Sequence, residues 1–424
     1  MYIQKVQIKN IRSIENLTLE FPEPAGWHVL IGDNGSGKST ILKALALTII
    51  GPKESLALRL NFDDFISKGK QEGWVEIEVQ RHESDSYSGN ARPLTRPFKA
   101  GISLLRQQNG LSSSSGGQIK EKASYRYAQK HIWSSRSGWF ATSFGPFRRF
   151  SGGNKDWEKV YYSNPRAASH LSVFGEDVAL TESLEWLISL KYKSLEKDEE
   201  ATLTLLRLKR FINEGALLPH GAKIKEVSSE GVAIEDGYGQ TISVQEMSDG
   251  FRSILSLTFE LIRQMVRIYG VRAVLKDRSS GSIEVDIPGI VMIDEIDAHL
   301  HPTWQTRIGQ WFLKHFPRIQ FIVTTHSPLI CRAAEHGSIW RLSGPDKDFR
   351  TYRLENTERD RLIYGNVLEA LGTEVFGSHI VRSESSQEKL ERMAKLNIKS
   401  IRGQISETEK EELQQLKAIL PTGK

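Results

Sequence analysis

A glycine-rich segment near the N-terminus has the spacing of a phosphate-binding loop. Residues 32–39 are GDNGSGKS and fit the pattern GxxxxGK[ST]. Glycines let backbone N–H groups converge on phosphate oxygens, and the helix that follows adds the positive end of its dipole. Lys38 would reach the β- and γ-phosphates of a nucleotide, and Ser39 would ligate Mg²⁺. The nucleotide-binding residues predicted from this segment are Gly32, Asn34, Gly35, Ser36, Gly37, Lys38, Ser39 and Thr40.

Two acids follow a run of four apolar residues at positions 290–293. A buried strand that ends in acids presents them at the sheet edge where ligands of open α/β sheets bind. We expect Asp294 to hold Mg²⁺, directly or through water, and Glu295 to orient and deprotonate an attacking water. The alternative is an acidic strand end that caps the next helix.

A histidine ends a further apolar strand, FIVTTH, at position 326. If this strand ends at the same sheet edge, the His326 imidazole would contact the γ-phosphate and sense its loss. The alternative is a packed or surface histidine. Lys38, Glu295 and His326 are therefore the predicted catalytic residues.

The segment Ser248-Asp-Gly250 precedes a long helix. Ser248 is either an ordinary N-cap or part of an anion site at the helix N-terminus. Both interpretations hold together if the N-terminus of this helix faces the nucleotide of a second subunit.

The elements around these residues indicate an α/β fold. Residues 26–50 predict strand, loop and helix, and residues 286–326 predict two strands joined by a helix, which implies parallel strands. We predict a mixed-sheet nucleotide-binding lobe with an inserted helical lobe. The predicted division is residues 1–83 and 246–355 for the nucleotide-binding lobe, 84–245 for a basic loop region and helical lobe, and 356–424 for a helical tail.

Composition narrows the class of protein. The chain has 424 residues, of which 39% are hydrophobic and 26% charged, as in a globular protein with a real core. Cys331 is the one cysteine, so no intrachain disulfide can form and a cytoplasmic location is expected. No apolar run approaches the roughly 20 residues that cross a bilayer, so no membrane span is expected.

Positive charge is concentrated between residues 91 and 155, which contain twelve basic side chains and one acid against a net charge of +5 for the whole chain. Lys122, Arg126 and Lys130 would align on one face of a helix, with Tyr125 and Tyr127 between them. Such a strip could follow a nucleic-acid backbone while the aromatic rings stack on unpaired bases. A solvated helix, or a surface that binds an acidic protein, fits equally well.

The C-terminal segment predicts a helix with a defined start. Ser406 and Glu409 form a capping-box pattern, and Leu413, Leu416 and Leu420 lie on one face. This apolar stripe is expected to pack within its own domain, and a docking site for a partner is the alternative.

These motifs, in this order, resemble the ABC-type ATPases of the structural-maintenance, RecF and OLD group. GDNGSGKST resembles their Walker A motif, MSDGFRS their signature, MIDEIDAHLHP their Walker B motif and D-loop, and TTHSP their switch histidine. The resemblance implies a head-to-tail dimer around two ATP molecules, in which Ser248 and Gly250 complete the site of the opposite subunit and Asp297 lies across the interface. SFGPFRRF at 143–150 is the candidate Q-loop, although it has no glutamine. Arg148 and Arg149 would face the nucleotide or the helical lobe.

Within the group, the absence of long coiled-coil arms argues against condensing and break-repair members. A Toprim nuclease is not expected, because no glutamate plus Asp-x-Asp pattern follows His326. The chain is most similar to ATPase subunits of bacterial antiphage systems such as Septu, with PARIS and retron ATPases as rivals. It would then be a slow, regulatory ATPase that works beside a separate nuclease or toxin. The alternatives are a RecF-like ATPase that clamps DNA and a self-sufficient nuclease, which needs further metal-binding acids.

Overall fold

The computed structural model describes residues 1–87, 96–107, 117–123, 125–134, 137–148, 163–175, 181–277, 283–344, 350–365 and 384–420. Two compact units are present, residues 1–359 and residues 360–424. Within the described part of the chain, no helix has the length and apolar character needed to span a membrane.

The strands and helices are numbered in chain order. The strands are β1 Tyr2–Ile11, β2 Ile14–Glu20, β3 Gly26–Ile31, β4 Glu72–Gln80, β5 Ser86–Tyr87, β6 Phe98–Leu105, β7 Gln118–Glu121, β8 Ser137–Gly138, β9 Phe140–Phe144, β10 Lys223–Ser228, β11 Gly231–Glu235, β12 Thr241–Ser243, β13 Lys276–Asp277, β14 Ile283–Glu284, β15 Gly289–Ile293, β16 Ile319–Thr325, β17 Gly337–Arg341 and β18 Tyr352–Arg353. The α-helices are α1 Lys38–Ile50, α2 Pro52–Ser55, α3 Arg126–His131, α4 Pro165–His170, α5 Thr181–Leu195, α6 Glu199–Glu214, α7 Asp249–Tyr269, α8 Val271–Val274, α9 Pro302–His315, α10 Pro328–Cys331, α11 Asn356–Tyr364, α12 Glu384–Ile401 and α13 Glu407–Ile419.

A six-stranded sheet with the order β18-β17-β3-β16-β15-β9 forms the centre of the larger unit. Its strands are parallel except for β18 at one edge. Every residue of β3, β15 and β16 is buried, which explains why apolar residues in these strands do not alternate with exposed polar ones. The predicted parallel pair joined by a helix is confirmed as β15, α9 and β16. The α/β fold class is therefore also confirmed.

A second, antiparallel sheet has the order β2-β1-β4-β6-β7. Apolar side chains of β1, β4 and β6 form one core with α1 and with residues of β15 and β16. The helix that follows the phosphate loop is thus held between the two sheets. Strands β6, β7 and β9 come from the segment predicted as an insertion, and they pair within these two sheets.

A helix pair and a small sheet precede residue 248. Helices α5 and α6 pack together, and the side chain of Asp198 caps α6 by accepting a hydrogen bond from the Ala201 N–H at 2.9 Å. Strands β10 and β11 form a hairpin, and β12 adds a third antiparallel strand. This small sheet leads the chain into α7.

The smaller unit is organised by α12 and α13. The Ser406 and Glu409 capping box is present at the start of α13. Leu413 and Leu416 are buried against Met393 and Leu396 of α12, and Leu420 packs against the same cluster. The expectation that the apolar stripe packs within its own domain is confirmed.

Candidate functional site

The phosphate loop connects β3 to α1 through a left-handed backbone. Gly37 has φ +92° directly before α1, a region that L side chains rarely adopt. A Cβ there would also lie 3.1 Å from Ile14 Cγ1 and 3.3 Å from Ser13 Oγ. Glycine is needed because the loop packs closely on the turn between β1 and β2.

Lys38 extends back over the loop that precedes it. Its Nζ donates hydrogen bonds to the carbonyl oxygens of Gly32 at 2.6 Å and Asp33 at 2.9 Å. Burial lowers the pKa of Lys38, while the carboxylates of Asp294 and Glu295 act in the opposite direction. An ammonium group and two acids from distant parts of the sequence therefore act on one another at this sheet edge.

Asp294 and Glu295 follow β15 and share one threonine of the neighbouring strand. Asp294 is 2% exposed, and Thr324 Oγ1 donates to its Oδ1 at 2.6 Å. The same Thr324 hydroxyl accepts the Glu295 N–H at 2.7 Å. Glu295 itself has φ +45°, a strained conformation for a non-glycine residue that persists only where surrounding contacts hold it. Thr324 was not among the predicted site residues, although two threonines ending an apolar strand beside two acids were a usable signal.

The next threonine holds the next acid. Thr325 Oγ1 donates to Asp297 Oδ1 at 2.6 Å and accepts the Ser327 N–H at 2.9 Å. Gln305 of α9 donates to the Leu300 carbonyl oxygen at 2.8 Å and accepts from the Ser327 hydroxyl at 2.6 Å. The loop after Glu295 is thereby fixed to the end of β16.

An open cavity of about 360 Å³ brings the predicted residues together. Its walls are formed by Arg12, Ser13, Asn34, Gly35, Gly37, Lys38, Ser39, Thr40, Glu295 and His326. The phosphate loop, the acid at the end of β15 and the histidine at the end of β16 thus meet in one place.

Arg12 and Ser13 were missed by sequence reasoning. Arg12 has φ +49° in the turn between β1 and β2, and its guanidinium stacks 4.4 Å from the centre of the Phe65 ring. It also donates to the Asp64 carbonyl oxygen at 3.3 Å. Burial lowers the pKa of Arg12, and Asp64 opposes that shift. The available signal was an arginine and a serine in a tight turn between two strands.

A second, larger cavity of about 960 Å³ also borders the phosphate loop. Apolar walls come from Ile14, Leu17, Ile41 and Leu342, and polar ones include Arg350. Gly35 lines both cavities. Within the described part of the chain, the buried Ser36 Oγ beside it has no hydrogen-bond partner.

Ser248 and Gly250 lie at the start of α7, and neither they nor Asp297 line the two cavities beside the phosphate loop. Ser248 occupies the N-cap position, but its exposed side chain makes no capping hydrogen bond. Gly250 packs against the loop after Glu295, since a Cβ there would lie 2.6 Å from the His299 carbonyl oxygen. Asp249 pairs with Arg252 on the same helix. The Ser248 hydroxyl is left facing solvent.

Of the SFGPFRRF segment, the structure describes residues 143–148, and Arg149 lies outside the described residues. Arg148 is 4% exposed and is enclosed by the backbone of Asp294 and Glu295 on one side and by α7 on the other. It does not line either cavity beside the phosphate loop.

The predicted strip of Lys122, Arg126 and Lys130 on one helix is wrong. Helix α3 begins at Arg126, and Lys122 instead pairs with Glu76 at 2.9 Å and lies 3.5 Å from the Trp74 ring centre. The Lys122 charge is compensated by Glu76, and Lys122 does not share a helix with Arg126 and Lys130. Arg126 and Lys130 are exposed on α3, and Tyr127 between them is 54% exposed.

Residues 28–332 match the model of a protein family described as "AAA domain, putative AbiEii toxin, Type IV TA system". The chain belongs to this AAA-domain family. The predicted P-loop ATPase fold is therefore confirmed. The matched residues begin in β3 and end just after α10, so they contain both the phosphate loop and the acids after β15.

Individual relatives of this AAA-domain protein are distant in sequence. "Septu protein PtuA" of Bacillus mycoides is 26% identical over 89% of this chain and 44% of its own length. "Retron Ec83 probable ATPase" of Escherichia coli is 26% identical over 81% of this chain and 72% of its own. The chain thus spans less than half of the Septu relative. Among solved structures, an SMC head bound to the C-winged helix domain of ScpA aligns over 84% of this chain and 99% of its own, at 17% identity and a TM-score of 0.48. The predicted resemblance to Septu and retron ATPases is confirmed.

Proposed function

We propose that the protein hydrolyses ATP to ADP and phosphate in the cavity formed by the phosphate loop, Glu295 and His326. The strongest support for this proposal is that residues from three separate parts of the sequence line one cavity. These residues are Lys38, Ser39, Glu295 and His326. Glu295 acts as the base that orients and deprotonates water, and Lys38 stabilises the charge that develops on the phosphate. His326 contacts the γ-phosphate. Arg12 adds a second cation at the same wall.

The residues fit Mg²⁺ and a nucleotide. Ser39 and the buried Asp294 offer the hard oxygen ligands that Mg²⁺ prefers, and the ion would supply positive charge to the phosphate oxygens. Gly37 and the start of α1 offer backbone N–H groups to the phosphates. The larger cavity, with apolar Ile14, Leu17 and Leu342, suits the base and ribose.

The complete site requires two subunits in this proposal. Ser248 is exposed with its hydroxyl uncapped at the start of a 21-residue helix, so it can meet the phosphates of a facing subunit. Gly250 permits the close packing of α7 on the loop that carries Asp297. The two sites of a head-to-tail dimer would then be enclosed by ATP binding and opened by slow, regulatory hydrolysis.

The test is the Glu295→Gln variant, which retains the size of the side chain and removes the base. We expect ATP hydrolysis to fall by about 100-fold or more while Mg²⁺–ATP converts monomers to dimers in mass photometry. Lys38→Ala is the matched control, because it should abolish both hydrolysis and the ATP-induced dimer. Unchanged ATP hydrolysis in the Glu295→Gln variant would show that Glu295 is not the base.

The biological role that we propose is control of a separate nuclease or toxin during phage infection. The similarity to Septu and retron ATPases supports this proposal. When the chain is expressed with its neighbouring genes, phage plating should fall, and the Lys38→Ala variant should restore it. The role in defence would be contradicted if phages of a broad panel plated equally on cells with the wild-type genes and on cells with the Lys38→Ala variant.

A RecF-like DNA clamp is the second candidate, favoured by the exposed Arg126, Tyr127 and Lys130 on α3. It predicts ATP-dependent DNA binding that is weakened by Arg126→Glu combined with Lys130→Glu. The matched control is Lys53→Glu with Lys68→Glu, which makes the same charge change at other positions in the same unit. Equal DNA affinity for both double variants would exclude this surface.

A further inference from the structure

Arg148 is a buried cation with no direct carboxylate partner among the described residues. It is 4% exposed, and its guanidinium donates four hydrogen bonds, three of them to backbone carbonyl oxygens. A buried charge is costly unless it is fully hydrogen-bonded, so a residue of this kind is expected to have a specific role.

Two of the four bonds hold the backbone of the acids after β15. Arg148 Nη1 donates to the Asp294 carbonyl oxygen at 2.8 Å, and Nη2 donates to the Glu295 carbonyl oxygen at 3.1 Å. Nη1 also donates to the Gly145 carbonyl oxygen at 2.8 Å. Because Glu295 has φ +45°, its peptide needs external support to stay in this conformation.

The fourth bond reaches α7. Arg148 Nε donates to Ser253 Oγ at 3.0 Å, and the Ser256 hydroxyl donates to the Arg148 carbonyl oxygen at 3.3 Å. Ser253 and Ser256 lie one turn apart in the part of α7 that follows Ser248 and Gly250. Arg148 therefore contacts, through one side chain, the peptide of the proposed base and the helix that begins at Ser248.

The charge of Arg148 is retained at neutral pH. Burial lowers its pKa to about 10, and the nearby carboxylates of Asp294, Asp297 and Glu295 act against that shift. A protonated guanidinium keeps all of its donors, and its planar fork can hold several carbonyl oxygens at once. Lysine in this position would retain the charge but lose this geometry.

We propose that Arg148 is a positioning residue for ATP hydrolysis, which sets the backbone of Glu295 and ties it to α7. This inference rests on the proposed function, because it assigns to α7 a contact with the nucleotide of a facing subunit. A displacement of Ser248 by that nucleotide would pass through Ser253 and Arg148 to Glu295. The base of one site would thus be aligned only when α7 of the same subunit is engaged.

The test compares kcat with ATP affinity in three variants. Arg148→Met removes the guanidinium, Arg148→Lys keeps only its charge, and Ser253→Ala removes the acceptor on α7 while leaving Arg148 in place. We expect kcat to fall about 100-fold in both Arg148 variants and about 10-fold in Ser253→Ala. The Kd for ATP, measured by calorimetry with Mg²⁺, should change less than about threefold, because none of these residues lines the cavities.

Arg263→Met is the matched control. Arg263 is a largely buried arginine of the same helix, and it pairs with Glu260 one turn away at 2.6 Å. All variants are measured at least about 10 °C below their own melting temperatures, so that loss of folding does not enter the rates. Arg263→Met should lower the melting temperature and leave kcat close to the wild-type value.

The outcomes separate the two proposals. If the wild-type protein shows no ATP hydrolysis, or if Glu295→Gln leaves it unchanged, the proposed function fails before Arg148 is considered. If Glu295→Gln is inactive but Arg148→Lys keeps the wild-type kcat, the positioning role is wrong. A wild-type kcat in Ser253→Ala would show that the contact with α7 does not affect hydrolysis. Equal losses of kcat in Arg148→Met and Arg263→Met would show that Arg148 has only a structural role.

Discussion

Two neighbouring threonines at the end of β16 hold two different acids. Thr324 binds Asp294 and the backbone of Glu295, whereas Thr325 binds Asp297 in the loop beyond. Successive residues of a strand point to opposite faces, so one strand end can serve acids on two sides. The acid proposed for Mg²⁺ and the acid proposed for the subunit interface are therefore positioned by adjacent residues.

Thr324→Val tests this arrangement at the level of one hydroxyl. The substitution keeps the shape of the side chain and removes the hydrogen bonds to Asp294 and Glu295, so we expect the ATPase rate to fall about 10- to 100-fold. Thr142→Val is the control, since Thr142 is equally buried in the same sheet but donates to the Ser169 carbonyl oxygen at 2.7 Å. Steady-state kinetics at saturating Mg²⁺–ATP compares them, and similar rates for both variants would contradict the role of Thr324.

At the scale of elements, the antiparallel sheet carries a concentrated ionic cluster. Glu76 of β4 accepts hydrogen bonds from Lys99 of β6 and from Lys122, both at 2.9 Å, and from the Tyr125 hydroxyl at 2.5 Å. Burial raises the pKa of Glu76, but the hydrogen bonds from Tyr125, Lys99 and Lys122 outweigh it and lower the pKa to about 2. This cluster joins two strands, β4 and β6, to the segment between β7 and α3.

The cluster makes stability depend on pH in one direction. The pKa of Glu76 is lower in the folded protein than its ordinary value of 4.5. Its contribution to the free energy of unfolding is therefore complete above pH 4.5 and is lost as the pH falls through about 2. We expect the gap in unfolding free energy between the wild-type protein and Glu76→Gln to shrink to roughly half or less between pH 7 and pH 3. Urea titrations measure this gap, with the exposed Glu72→Gln as control. A gap that is constant with pH would show that the cluster is not stabilising.

The Glu76 cluster is an example of contacts that could not be predicted from the sequence. Lys38, Ser39 and Asp294 were recognisable because a motif, a strand and a helix lie within a dozen residues of each. Lys122 was assigned to the wrong element because its partner Glu76 is 46 residues away and contact with it depends on sheet pairing. Arg148 likewise depends on contacts across more than 100 positions, which periodicity and motifs do not encode. The lobe boundaries at residues 83, 245 and 355 stay a prediction.

At the scale of the whole molecule, the single chain holds an incomplete version of the proposed site. The cavity beside Lys38 has Glu295 and His326 in its wall, while Ser248 is exposed at the start of α7 and does not line it. In the function proposed above, a second copy of the chain supplies Ser248 and the start of its α7 to this cavity. Dimer formation and hydrolysis are then expected to respond to the same substitutions.

Ser248→Arg in the Glu295→Gln background tests that requirement. A bulky cation in place of the hydroxyl should abolish the ATP-induced dimer, while each subunit still binds ATP with a Kd within about threefold of the parent, because the Lys38 cavity is unaltered. Tyr238→Arg adds the same side chain at a residue that is 93% exposed and serves as control. Mass photometry gives the dimer fraction. Dimers that persist with Ser248→Arg would exclude the shared site.

Cys331 ends α10 with its side chain fully buried, and burial raises the pKa of its thiol. It is also the single cysteine of the sequence. A buried, protonated thiol reacts slowly with maleimides, since the thiolate is the reactive form. A cysteine introduced at an exposed position such as Tyr238 or Leu195 would therefore take up a fluorophore almost alone, without prior removal of the native thiol. The natural sequence is thus already suited to single-molecule distance measurements that test the proposed closing and opening of the dimer.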